Sequence, residues 1–397
     1  MSRYGSLYTN TPQSAPLTPN QVKNNAGGFA YTISPWDRLD RFLVLGSDSN
    51  TYYQKARDLT IENAGVIGEC VGLDAERTVQ RIVEISVAGR APKNDPAIFA
   101  LALIAKNGDK DARQHAFAAV AKVCRTATHL MQFVETSRQL GKGWGRGMVN
   151  AVSNWYNSRS DDQLAYQLVK YRQRESYTHE RLIRLAHPGR YGSHKASEQR
   201  SAMYDWLRGR VSDHPLPRIL LEHLRCTLIT EAHVESLAKI VAEHKLPWEA
   251  LPTWANTKAE VWQAQMPFMG MTALIRNLGN MTRHGAITPM SKHEETIVAR
   301  LEDVNELKKA RVHPMSVLIA SKIYARGKGQ MGKGEWEPNQ AIMRALNKAF
   351  RLAFKAVEPT GKRHLLALAV SGSMDGGGFG YGGQIGGVLS PREACSR

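Results

Sequence analysis

Apolar residues recur every three or four positions along most of this chain. The spacing is clear in "DPAIFALALIAK", "DARQHAFAAVAKVCRTATHLMQFVETS", "DDQLAYQLVKY", "EAHVESLAKIVAEH", "MTALIRNLGNMT", "HPMSVLIASKIYARG" and "NQAIMRALNKAFRLAFKAV". It predicts helices, because 3.6 residues per turn bring such positions to one face. Helix punctuation separates the runs: Asp95-Pro96, Asp161-Asp162, His187-Pro188-Gly189, His214-Pro215, Leu246-Pro247 and His313-Pro314. From Pro35 to about Pro359 the chain is expected to be nearly all helix, in pieces of about 10 to 20 residues. Short breaks favour stacked helical pairs, an all-α solenoid, although no clean sequence period repeats.

The two ends depart from this pattern. Residues 1–20 read as a flexible arm, with Pro12, Pro16 and Pro19 barring a helix, and Gly27-Gly28 loosens the chain up to about residue 30. Near the other end, "RHLLALAV" (Arg363 to Val370) is a short apolar run followed by the glycine-rich "SGSMDGGGFGYGGQIGG". A strand followed by a loop is how an α/β unit begins.

Charge narrows the function. Lys and Arg number 53 against 36 Asp and Glu, a net charge of +17 with pI near 9.8. Such an excess repels itself unless an anion is bound; nucleic acid is the first partner to expect and an anionic membrane surface the second. Cys70, Cys124, Cys226 and Cys395 stand singly, with no CxxC, which excludes zinc ribbons and argues against a disulfide framework. No apolar run approaches the ~18 residues of a membrane span. The N-terminus lacks a signal-peptide core, so the chain reads as cytoplasmic, reduced and not membrane-bound.

Three stretches concentrate cations. From Lys170 to Arg200 there are eight Lys or Arg and three acids, interleaved with three tyrosines and three histidines. Asp161 and Asp162 are expected to cap one helix, with Leu164, Leu168 and Tyr171 on its apolar face. Thr178 is expected to cap a second that stops at Pro188, with Leu182, Leu185 and Ala186 as its stripe. Glu180, Arg184 and His187 then fall opposite, with Arg181 on the flank. Lys170, Arg172 and Arg174 form a basic linker, and His187 sits at a helix C-terminus, where a cation is favoured. Arginine forks suit phosphate and tyrosines offer stacking; the competing reading is a solvated charged face.

The second stretch, "GKGWGRGMVNAVSNWYNSR", carries Lys142, Trp144 and Arg146. Its glycine order does not make a Walker loop; Gly141 and Gly143 are expected to end one helix and leave backbone amides for an anion. "GKGQMG" (Gly327 to Gly332) matches GxGxxG but follows a helix, so it is discounted as a dinucleotide site. In the third, "QMPFMGMTALIRNLGNMTRHG", Leu274, Ile275, Leu278 and Met281 are core candidates. Arg276, Asn280 and Arg283 recur on another face, with Asn277 and His284 beside them, and that face is a candidate to read a ligand. A helix end hydrogen-bonded to neighbouring loops is the alternative.

Taken together, "QVKNNAGGFAYTISPWDRLDRFLVLGS", "GKGWGRGMVNAVSNWY", "YRQRESYTHERLIRLAHP", "MTALIRNLGNMT", "VHPMSVLIASKIYARGKG" and "LLALAVSGSM" occur in that order. This chain resembles the Ro/TROVE-module proteins, the Ro autoantigen family and its bacterial relatives, from about Gln21 to Met374. The resemblance implies a TROVE module over residues 21–360, a ring of HEAT-like helical repeats closed or nearly closed. It implies small noncoding Y RNA on the outer surface and the single-stranded 3′ end of misfolded RNA in the central hole. Through the RNA it implies an exoribonuclease as partner of a monomeric ring. The family's basic outer site corresponds here to Lys170, Arg172, Arg174 and His187, flanked by Arg181 and Arg184. Lys142, Trp144 and Arg146, with Arg276, Asn280, Arg283 and His284, are expected to face the hole.

Family members continue into a von Willebrand factor A domain whose metal site begins Asp-x-Ser-x-Ser. The matching residues here are Ala369, Ser371 and Ser373, so the Asp is gone. Serine hydroxyls alone are poor ligands for a hard divalent cation. Residues 361–397 are thus expected to be the truncated start of that domain, with no metal and no cofactor. Three functions compete: an RNA-binding chaperone or scaffold ring, which the charge favours; an RNA-processing enzyme, for which no catalytic motif is visible; and a solenoid adaptor for proteins, which would not need a charge of +17.

Overall fold

The computed structural model describes residues 15–16, 18–23, 27–46, 64–91, 93–141, 143–174, 176–188, 197–329 and 334–356 of the chain. Two short strands, β1 (Gln21–Lys23) and β2 (Phe29–Tyr31), pair antiparallel and precede the helices. This corrects the loose arm expected up to about residue 30: Gly27, at φ +84°, lets the chain reverse and pair.

The first series of helices is α1 (Pro35–Leu45), α2 (Gly65–Leu73), α3 (Ala75–Ala88), α4 (Asp95–Asn107), α5 (Lys110–Val123), α6 (Ala127–Gln139), α7 (Arg146–Asn157) and α8 (Asp161–Lys170). Most begin at a side-chain cap: Ser34, Asp74, Asp109, Thr126 and Ser160 each accept a hydrogen bond from a first-turn backbone N–H. Ser160 and Gln163 form a reciprocal capping box, so Asp161 and Asp162 stand in the first turn and do not cap it. Thr126 also explains a second departure. The apolar run through residues 111–137 breaks at Cys124, because the Thr126 hydroxyl starts a new helix there.

Alternate helices stack on one another: α1 on α3, α3 on α5, α5 on α7, and in a second layer α2 on α4 and α4 on α6. Between the layers, α4 is buried on every side from Pro96 to Ala105, which is why "PAIFALALIA" has no polar face. The chain continues through strands β3 (Gln173–Arg174) and β4 (Tyr177–Thr178), then α9 (His179–Ala186), α10 (Glu198–Leu207), α11 (Arg218–Thr227), α12 (Val234–His244) and α13 (Ala259–Gln265). The run at residues 231–244 opens with one 3-10 turn before α12. Helix α9 stacks on α7, α11 on α8, and α12 on α11 and α13. All of this encloses one buried cluster, from Leu39 to Val261.

A second cluster, from Trp262 to Ala353, lies among α14 (Met271–Arg283), α15 (Lys292–Glu302), α16 (Val304–Lys309), α17 (Pro314–Ala325) and α18 (Gln340–Ala353). The described chain returns to its beginning. Arg311, 224 positions after Val87 and in the left-handed region at φ +51°, donates from Nε to the Val87 carbonyl at 2.7 Å. Its stem lies over Gly89, where a Cβ would come within 2.5 Å of the Arg311 side chain. The expected strand at 363–370, with Ala369, Ser371 and Ser373, lies outside the described residues, as does Lys142. Among the described residues no helix is long and apolar enough to cross a membrane, and no group of three His, Cys, Asp or Glu side chains could hold a metal ion.

Candidate nucleic-acid interface

The first basic stretch is built by a turn that the sequence pattern did not reveal. After α8 the chain makes the two-residue ladder Gln173↔Thr178 and Arg174↔Tyr177, with Ser176 left-handed at φ 57°. The expected open linker is therefore a small hairpin. Thr178 then caps α9, accepting from the Arg181 N–H at 3.2 Å, as expected. Leu182, Ile183 and Ala186 are buried, while Leu185 is only half-buried. His187 closes the helix in the left-handed conformation, its N–H on the Ile183 carbonyl at 3.0 Å. The end of α8, the hairpin and α9 thus hold Lys170, Arg172, Arg174, Arg181, Arg184 and His187 within one stretch of the chain.

These cations differ in how they are held. Half-buried Lys170 donates to the Tyr166 hydroxyl at 3.2 Å and lies 5.4 Å and 5.5 Å from the Tyr166 and Tyr171 rings. Arg181 lies 4.6 Å over the Tyr177 ring and donates to the Ser176 carbonyl at 3.0 Å. Exposed Arg184 pairs with Glu180 one turn earlier at 2.8 Å, a pair that solvent screens. Arg174 and His187 are exposed.

Arg172 is the best oriented. Its Nη2 makes a close hydrogen bond to Nε2 of His223, a residue only 4 % exposed on the inner face of α11. Nδ1 of His223 bonds the Ala250 carbonyl at 2.6 Å. Burial, with Arg172 adding to it against the Ala250 bond, pushes the His223 pKa down. The imidazole is therefore neutral near pH 7: Nδ1–H donates to Ala250 and Nε2 accepts from Arg172. One corner of the guanidinium is tied down and the rest faces solvent. His223 was not among the sequence candidates. Its signal was a histidine on the apolar stripe of "LLEHLRC", three residues from both Leu220 and Cys226, which are buried with it.

The second stretch behaves differently. Gly141 does end α6, with φ +79°. But its N–H bonds the Arg138 carbonyl at 2.8 Å, and Lys106 Nζ donates to the Gly141 carbonyl at 3.1 Å. The Gly141 amide is thus spent inside the fold and is not left for an anion, and the carbonyl end attracts a lysine as helix polarity favours. Arg146 is exposed at the start of α7, and Trp144 is half-buried against the first core. Gly147 meets the Phe117 ring, where a Cβ would come within 2.5 Å, so close packing of α7 on α5 requires it.

In the third stretch Leu274, Ile275, Leu278 and Met281 are buried as expected, and Arg276, Asn280 and Arg283 are exposed together on α14. His284 is half-buried, its pKa lowered by burial and by Arg283. Arg276 and Asn280 make no side-chain hydrogen bond or ion pair among the described residues, whereas Asn277 turns back to the Ala273 carbonyl at 2.9 Å. On either side of the GxGxxG segment the described residues approach one another, the Trp336 N–H bonding the Gly327 carbonyl at 2.9 Å. Lys328 pairs with Glu335 at 3.0 Å, and Trp336 covers Gly279 and stacks on Tyr324. It follows α17, a helix and not a strand. The side chains of α7 belong to the first core and those of α14 to the second; no hydrogen bond joins the two helices among the described residues.

Stacked alternate helices and a hairpin-borne cluster of cations define a mostly helical protein with a cation-rich surface segment. The TROVE domain profile matches residues 22–212 and 242–323. The RNA-binding protein RO60 of Deinococcus radiodurans is 41% identical over 368 residues, covering 92% of this chain and 68% of that protein. The RNA-binding protein RO60 of Caenorhabditis elegans is 34% identical over 426 residues, covering 89% of this chain and 66% of that protein. The crystal structure of the Deinococcus radiodurans RO (RSR) protein superposes with a TM-score of 0.70 at 38% identity, covering 90% of this chain and 70% of that one. This chain belongs to the TROVE-domain family of Ro proteins. It spans about two thirds of the length of its curated relatives.

Proposed function

We propose that this chain is an RNA-binding ring that holds a small structured noncoding RNA, of the Y RNA kind, on the surface formed by α8, the β3–β4 hairpin and α9. The observation that carries this reading is the cluster Lys170, Arg172, Arg174, Arg181, Arg184 and His187, interleaved with Tyr166, Tyr171 and Tyr177. Two relatives named as RNA-binding proteins support it. The stacking of alternate helices and the return of Arg311 to Val87 support a HEAT-like ring. In this reading the ring is monomeric and cytoplasmic, and it acts in RNA quality control without catalysing a reaction. Arg146 and the exposed Arg276, Asn280 and Arg283 face the hole and take the single-stranded 3′ end of misfolded RNA, which an exoribonuclease can then reach. The charge supports this over a protein adaptor.

Binding of a labelled stem-loop RNA across a salt series tests the reading. Each neutralised phosphate contributes about −0.7 to −0.9 to the slope of log K against log salt. A steep negative slope is expected; a flat response, or no binding, would overturn it.

A further inference from the structure

Beside the basic hairpin lies a cavity of about 210 Å³, where α8, the start of α9, the end of α10 and α11 meet. Its volume equals that of about seven waters and falls below the roughly 300 Å³ at which drug-sized sites begin. Leu168 and Leu207 give it an apolar floor, and the half-buried Trp206 supplies an indole wall. Arg172, tied to His223, stands at its edge. His179 completes the wall. It is 1 % exposed, its Nδ1 is bonded to the Tyr156 hydroxyl at 2.8 Å, and its Nε2 is a buried nitrogen without a hydrogen-bond partner among the described residues.

We infer that this cavity takes one unpaired nucleobase of the bound RNA, with the adjoining phosphate outside on Arg172. The inference rests on the RNA-binding reading above and extends it from backbone contact to base contact. Two features choose a base over a phosphate. The floor is apolar, and Glu180 at the rim places a carboxylate where an entering phosphate would be repelled. A flat aromatic ring instead gains stacking on Trp206 and finds a polar edge in the Thr178 hydroxyl. Proteins read single-stranded RNA in this way, by splaying a base onto an aromatic side chain while cations hold the backbone.

The test uses the full chain and two labelled probes: a mixed-sequence single-stranded RNA decamer, and a decamer of the same ribose-phosphate backbone without bases. The wild type should bind the base-bearing decamer about tenfold or more tightly over the abasic one. Trp206→Leu should remove most of that preference while leaving abasic affinity unchanged, and Trp206→Phe should restore much of it. Folded Leu and Phe variants that both bind the two decamers as the wild type does would overturn the base pocket, while binding itself would leave the RNA-binding reading standing. Failure of the wild type to bind either decamer while it still binds the stem-loop RNA would overturn the pocket alone, and failure to bind all three would overturn both. Because Trp206→Leu can fail to fold, the unmodified protein is also irradiated with the decamer carrying 4-thiouridine. Crosslinks in peptides holding Trp206 and Leu207, or His223, are expected; crosslinks confined to other peptides would refute the pocket.

Discussion

Replacing Arg172 by Ala should produce two separable losses. The first is a phosphate contact. A charge-assisted bond of this kind is worth about tenfold in affinity, ~1.4 kcal/mol, and its removal should make the salt slope shallower by about 0.7 to 0.9. The second is structural. Nε2 of His223, buried on α11, loses its donor. An orphaned buried acceptor costs about 1–3 kcal/mol, and the adjoining cavity admits water, which keeps the cost near the lower end. In a chain of this size that is a fall of about 2 °C or less in melting temperature. Arg172, expected as part of a basic linker, is thus also a packing residue, because its bond to His223 ties it to α11. Two further variants divide the effects. Arg172→Lys keeps the charge and so the slope, but loses the fork and part of the affinity. His223→Ala keeps the guanidinium but releases it, so affinity should fall several-fold with the slope unchanged. The assay is fluorescence anisotropy with a stem-loop RNA at several salt concentrations, paired with thermal melts. If Arg172→Ala keeps wild-type affinity and slope while its circular dichroism is unchanged, Arg172 does not touch phosphate and the assignment of this surface is wrong.

Other outcomes follow from the same geometry. Burial holds the His129 and His179 pKa values down at about 4, against 6.5 unfolded; unfolding then takes up protons, so stability is full above pH 6.5 and falls as pH drops toward 4. At pH 5.5 each should cost on the order of 1 kcal/mol, and urea midpoints that do not move between pH 7.5 and 5.5 would contradict this. Gly279→Ala should destabilise by about 1–3 kcal/mol, since its Cβ would lie 2.6 Å from the Trp336 ring, and an unchanged melting temperature would show that Trp336 moves freely. Arg276→Ala with Arg283→Ala should weaken binding of a stem-loop with a single-stranded 3′ tail more than that of its blunt counterpart; equal losses would remove α14 from the hole. Arg311→Ala should loosen the contact with Val87, raising the radius of gyration in small-angle scattering, and an identical profile would mean that other contacts close the chain.

The helices were legible because their apolar period and caps are local. His313-Pro314 opens α17 and Thr178 opens α9, as the residues suggest. Features that depend on another part of the chain were not. Nothing near Gly279 says that Trp336 will cover it, and the hairpin at residues 173–178 rests on a left-handed serine that no turn rule would select. Within the site, the cluster of cations was visible in sequence, but not which of them the fold ties down. Arg172 and His223 are 51 positions apart, and only the packing of α11 on α8 brings them together.

That distinction bears on how the charge of +17 should be read. Helices α3, α5 and α7 stack through alternate contacts, and their carbonyl ends attract arginines from elsewhere. Arg311 donates to Val87, and Arg125 to Ser86 at 2.8 Å. Arg159 donates to the carbonyls of Cys124 and Arg125, and Arg200 to that of Arg159 at 2.6 Å. Each guanidinium adds a donor at, or just beyond, the carbonyl end of a helix, where its charge complements the negative end of the helix dipole. Burial works against them: it lowers the pKa of Arg159 to about 10, and that of Arg125, with Arg311 adding to the effect. These arginines contribute to net charge while acting as joints between stacked helices. Net charge therefore overstates the surface available to RNA, and the salt slope of binding should report the smaller set of cations that remain on the hairpin, on α9 and on α14.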